Sequence, residues 1–134
     1  MSPSGPLRVL DAAEHFAADV IRLSEQLDQK HAKELAAQLT RSASSIAANI
    51  AEASKLGTAA NYHRQLRIAL GSATETGTHL RIARYAELLP VQEVRRLEQR
   101  LGTICKMLNA LMRHLSESQA HEESERRRKS EPPT

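Results

Sequence analysis

The feature that most constrains this chain is a seam in its second half. Val94, Leu97, Leu101, Ile104, Leu108, Leu111 and Leu115 follow one another at steps of 3, 4, 3, 4, 3 and 4 residues. At about 100° per residue, such a series keeps returning to one line of a helix. These positions form the a/d seam of a bundle helix, and no strand has that period. A helix with one apolar seam cannot bury itself. The rest of the chain must supply the groove that receives it.

Three more helices are legible upstream. Val9, Ala13, Phe16, Val20, Leu23 and Leu27 alternate steps of four and three, which predicts a helix from about residue 7 to 27. The polar stretch Asp28-Gln29-Lys30-His31 marks the first connection. A second helix is expected over about 32–54, with Leu35, Leu39, Ala43, Ile46, Ile50 and Ala53 in one arc and eight alanines that favour helix and close packing. Gly57 reads as its C′ residue and Thr58 as the N-cap of a third helix reaching about Tyr85. Leu89-Pro90 breaks the chain again, with Pro90 suited to the first position of the fourth helix. Short connections imply antiparallel packing. The expected fold is therefore an all-α, up-down-up-down four-helix bundle over residues 7–115. Residues 1–6 read as a disordered leader. Residues 116–134, rich in Ser, Glu and Arg, read as a disordered polar tail that cannot bury enough surface to order itself.

The third helix carries two apolar lines where one would serve. Tyr62, Leu66, Ala69, Ala73 and Leu80 gather on one side, while Ile68 and Ile82 lie nearly opposite. A second stripe wants a second partner, either another helix of the chain or another subunit. Ile68 and Ile82, with Gly71 and Glu75 beside them, are the candidate oligomer interface. Gly71 and Gly77 each cost roughly 1 kcal/mol against Ala within a helix. Tight helix approach is the expected compensation.

Composition and motifs exclude much chemistry. No run approaches the roughly 18 apolar residues of a membrane span. The N-terminus lacks the basic start and apolar core of a signal peptide, and a lone cysteine, Cys105, forms no intrachain disulfide. A cytoplasmic protein is expected. Four-helix bundles can hold two metals through Glu and Glu-x-x-His motifs, yet none of the six histidines completes Glu-x-x-His and no His-x-x-x-His pair exists. Cys105 sits beside the seam, where a buried inert thiol is expected. No base stands at readable spacing from a Ser or Cys nucleophile, and Gly71 and Gly77 are mid-helix, so no phosphate loop is present. No catalysis, cofactor, metal or small-molecule substrate is expected.

Two polar positions and the arginines remain. Asn49 falls at the edge of the second helix's apolar arc, near Ser42 and Ser45, and is expected to bond across helices and fix register. Glu52 is expected to pair with Lys55 or with an arginine such as Arg41 or Arg67. The net charge is +3, with the surplus in residues 1–115. Candidate phosphate contacts are Arg41 on the second helix and Arg64, Arg67, Arg81 and Arg84 on the third. Arg95, Arg96 and Arg100 on the fourth complete the set. Aromatic residues make up only 2%, so nucleic-acid binding would be driven by phosphate and sensitive to salt, not by base stacking.

Leu39, Arg41, Ala43, Ser45 and Ile46, followed by Asn49-Ile50-Ala51-Glu52, carry a resemblance. So do Leu66-Arg67-Ile68-Ala69-Leu70-Gly71-Ser72 and, beyond them, Glu75, Thr78, Leu80, Ile82 and Ala83. In order and spacing these resemble the small four-helix-bundle proteins encoded within intervening sequences of bacterial 23S rRNA genes. Thr40, Ala47 and Ala53 depart from that pattern, where arginine, proline and glycine are usual, and Gly77 stands where a longer residue is common. Losing a basic residue at Thr40 weakens the nucleic-acid reading. The resemblance implies a ring-like homo-pentamer without catalytic activity. It also implies kinship to accessory subunits of diversity-generating retroelements, basic pentamers that bind nucleic acid and a reverse transcriptase. The expected function is a non-catalytic homo-oligomer whose basic surface binds structured RNA or a nucleic-acid-processing partner such as a reverse transcriptase. The alternative is a protein-protein interaction scaffold with no nucleic-acid role.

Overall fold

A computed structural model describes residues 5–29, 31–55 and 57–133. Four helices follow in order: α1 (Gly5–Gln29), α2 (Lys33–Ala53), α3 (Ala59–Tyr85) and α4 (Val91–Ser130). Packing runs α1 to α2, α2 to α3, α3 to α4 and α4 back to α1. Cross-helix contacts pair rising with falling numbers. Ser42 meets Thr76 and Asn49 meets Gln65, Arg84 meets Glu98, and Asp19 meets Arg100. Ser24 meets Thr40 while Asp28 nears Lys33, Gly77 faces Leu101 while His63 nears Arg113, and Pro6 nears Leu111. Each neighbouring pair is thus antiparallel, and the fold is the expected up-down-up-down bundle.

The seams define the core. Val9, Ala13, Phe16, Val20, Leu23 and Leu27 of α1 are all buried, as are Leu39, Ala43, Ile46, Ile50 and Ala53 of α2. From α3 come Leu66, Ala69, Ala73, Leu80 and Ala83, and from α4 Val94, Leu97, Leu101, Ile104 and Leu108. Leu111 and Leu115, last on the α4 seam, are half-buried where the bundle ends. Small side chains fill most of the α3 stripe, which lets α2 and α3 lie close. Full burial of each Leu or Ile in this core contributes about 1.5–3 kcal/mol.

The ends of the helices follow local chemistry. Thr58 caps α3, its hydroxyl accepting the Asn61 N–H at 3.1 Å. α1 and α3 each end in a Schellman motif. The Ala32 N–H donates to Leu27 O at 2.9 Å and that of Leu88 to Ala83 O at 3.0 Å. Among the described residues, the left-handed ones are His31 (φ 61°) and Glu87 (φ 57°), positions where glycine is usual. Gly57, expected at C′ of α2, is not left-handed. The chain leaves α2 at Ser54, whose hydroxyl donates to Ala51 O at 2.8 Å. Pro90 precedes α4 as its N-cap, one residue earlier than expected.

Two expectations about the termini need correction. α1 starts at Gly5, so Gly5 and Pro6 are helical, and residues 1–4 of the expected leader lie outside the described residues. Pro6 is tolerated because first-turn N–H groups have no intrahelical acceptor. The expected disordered tail is instead a continuation of α4 to Ser130. Its residues do leave the core, and every one from Ala120 to Pro133 is exposed. Glu122, Glu123 and Glu125 each stand four residues before an arginine or lysine, a spacing that favours helix, and His121 Nε2 lies 3.6 Å from Glu125 Oε1. Arg127, Arg128 and Lys129 occupy the last turn, where cations suit the helix dipole. Among the described residues, no helix is long and apolar enough to cross a membrane.

Candidate nucleic-acid interface

Between α2 and α3 a line of hydroxyl and amide groups sets the register. The Ser42 and Thr76 hydroxyls lie 2.9 Å apart, as do those of Ser45 and Ser72. Asn49 donates to the Ser45 carbonyl at 2.7 Å and accepts from Gln65 Nε2, also at 2.7 Å. Asn49 therefore bonds across helices, half-buried, at the α2–α3 seam. Glu52 is exposed and joins no ion pair among the described residues. Thr76 and Gln65 were not singled out from sequence, and Ser72 only as the end of the family motif. Their spacing, read beside Ser42, Ser45 and Asn49, is the signal that would have found them.

The far flank of α3 is open in the single chain. Ile68 is 50% exposed and Ile82 45%, and Glu75 and Gly71 are exposed beside them. A Cβ at Gly71 would meet nothing within 4 Å, and one at Gly77 would make ordinary contact with Leu101 at 3.5 Å. Neither glycine permits a close approach within the chain, contrary to expectation. At the edge of the same flank His79 is buried, and both its ring nitrogens lack a hydrogen-bond partner among the described residues. Glu75 Oε1 stands 3.6 Å from its Nε2, too far for a hydrogen bond.

The eight candidate arginines separate by their neighbours. Arg84 forks onto Glu98 of α4, with Nε and a terminal nitrogen at 3.1 and 3.3 Å from the two carboxylate oxygens, and its guanidinium lies over the Tyr85 ring. Arg100 pairs with Asp19 of α1, which also pairs with Arg22. Both arginines hold helices together and are the least available to a ligand. Arg96 lines a groove with Asp19, Arg22 and Glu93, and Arg41 one with Glu25, Asp28 and Lys33. Acidic neighbours offset the charge in both places. Arg64, Arg67, Arg81 and Arg95 are exposed and form no ion pair with another described residue.

Helical geometry aligns part of this last group. His63 and Arg81 are eighteen residues apart on α3, five full turns, as are Arg95 and Arg113 on α4. Both pairs border the outer α3/α4 seam, and Lys106 lies within about 20° of the α4 pair. The seam thus presents a row of basic side chains about 27 Å long, Arg81, Arg95, Lys106 and Arg113 with the His63 imidazole at one end. Of the carboxylates near it, Glu98 is held by Arg84, and Glu117 stands one turn beyond Arg113 at the end of the row.

Other chemistry finds little support in the geometry. Among the described residues, no three His, Cys, Asp or Glu side chains gather so as to hold a metal ion. Cys105 is half-buried, and burial pushes its thiol pKa up, away from the reactive thiolate.

The family pattern for the 23S rRNA-intervening sequence protein matches residues 6–110, all four helices. The chain belongs to that family. A comparison with curated proteins finds no match. Among solved structures, the chain is similar to a protein of unknown function from the S23 ribosomal protein family of Bacteroides thetaiotaomicron. The two share 26% identity with a TM-score of 0.79, over 82% of this chain and 99% of the other. The matched part stops before the exposed end of α4. Family membership gives an RNA-related context, and neither description names a reaction.

Proposed function

We propose that this protein is a non-catalytic, cytoplasmic homo-oligomer whose basic α3/α4 seam binds structured RNA or a nucleic-acid-processing partner such as a reverse transcriptase. The observation that carries the proposal is the row of cations on that seam without internal carboxylate partners. A cyclic assembly would repeat the row around its axis, turning a few cations per subunit into an extended phosphate-binding surface. The exposed Ile68 and Ile82, with Gly71 and Glu75, are the proposed subunit contact, and the family resemblance favours five copies. Fluorescence anisotropy with a structured RNA at two salt concentrations tests the binding. Tight binding at low salt that weakens steeply as salt rises is expected, and no binding at low salt removes the nucleic-acid reading. Light scattering tests the assembly, and a monomer at micromolar concentration rules it out.

The exposed Ile68 and Ile82 of α3 also favour a second reading, in which they dock a different protein and the arginines only confer solubility. Under that reading Ile68→Asp leaves the hydrodynamic radius unchanged and abolishes partner capture. Under the first, it reduces the radius to that of a monomer.

A further inference from the structure

One end of the cationic seam deepens into a groove of about 610 Å³. His63 lines it from the second turn of α3, and Lys106, Asn109, Arg113 and Ser116 from α4. No acidic residue lines it, whereas the grooves beside Arg96 and Arg41 each hold acidic residues. None of these five polar side chains makes a hydrogen bond or ion pair with another described residue. Met112 contributes an apolar part of the wall. Two permanent cations, one imidazole and two neutral donors thus converge on one concavity with their donor capacity unspent. Such a site suits a tetrahedral oxyanion, which accepts several charge-assisted hydrogen bonds at once.

We propose that this groove is a phosphate-binding site, with Lys106 and Arg113 supplying the charge and His63, Asn109 and Ser116 the directional donors. The assignment of that phosphate to an RNA backbone rests on the function proposed above. The groove then anchors one phosphodiester of the bound strand while the exposed Arg81 and Arg95 follow the strand along the seam. A free phosphate would present the same chemistry, so the test separates the two sources.

Lys106→Gln/Arg113→Gln removes both permanent charges from exposed positions, and circular dichroism checks that the helices persist. Lys33→Gln, at an exposed position in a groove shared with Glu25 and Asp28, is the control. Anisotropy with a structured RNA should show at least tenfold weaker low-salt binding for the double variant. The slope of log affinity against log salt should fall by about one for each lost phosphate contact. The control should stay within about twofold by the same estimate of mixed-charge surroundings. A double variant that binds with wild-type affinity and slope overturns the groove and leaves the broader nucleic-acid reading standing. Should the wild type bind no RNA, pyrophosphate titration followed by the His63 imidazole resonance decides the matter. A saturable shift in the wild type, absent from the double variant, supports a site for free phosphate. No shift overturns the site itself.

Discussion

Glu87 sits at φ 57° because the Schellman turn after α3 needs a left-handed residue at that point. An L side chain there costs roughly 1–2 kcal/mol relative to right-handed backbone. Glycine escapes that penalty but loses more freedom on folding. Glu87→Gly should therefore stabilise the fold by about 0.5–1 kcal/mol, raising Tm by on the order of 3 °C in thermal denaturation. The site is exposed and its side chain joins no ion pair among the described residues, so no other change should mask the gain. The sequence gives no sign of this turn, since Ala86-Glu87-Leu88 contains neither Gly nor Asn. Gly57 has the opposite history. It is the residue type expected at a helix end, yet α2 stops at Ser54, where a hydroxyl satisfies a last-turn carbonyl.

At the scale of elements, periodicity made the helices legible and pairing was not. Every apolar position assigned to the α1 seam is buried, because a 3-4 step fixes the inward face whatever the neighbour is. The roles of Arg84 and Arg100 could not be read that way. Their carboxylates lie 14 and 81 residues distant and meet them only after the helices dock. The hydrogen bond from Arg100 is the main reason the Asp19 pKa lies below its ordinary 3.8, with Arg22 adding to it against the opposing effect of burial. Between that lowered value and 3.8 the unfolded chain binds more protons than the folded one, so stability rises with pH through this window. Asp19→Asn should cost no more than about 1 kcal/mol at neutral pH, since the pair is part-exposed. The deficit should shrink as pH falls below 3.8 and vanish beneath the folded-state pKa, as urea titrations at stepped pH will show.

For the whole molecule, the bundle and its family were legible and the reach of α4 was not. Polar composition after Ser116 correctly signals residues outside the core, since nothing there could fill one. It does not signal disorder, because α4 continues to Ser130 in a stretch where Glu and Arg at four-residue spacing favour helix. The candidate site was half legible. Angles on α3 and α4 identify which cations share a face, but the groove at His63, Lys106 and Arg113 exists only where two helices meet. His63, Lys106 and Arg113 gain a shared place only in three dimensions.

The unbroken α4 is one rod under two regimes. Up to Leu115 it is held by hydrocarbon packing that added electrolyte hardly disturbs; beyond Ala120 it has no core to pack on, and the spacing of its opposite charges favours helix only through an attraction that electrolyte weakens. Raising ionic strength should unwind the far end alone, seen as a modest loss of helical circular dichroism with no change in Tm. A protease specific for basic residues should then clip Arg126 to Lys129 faster at high salt, leaving the bundle whole.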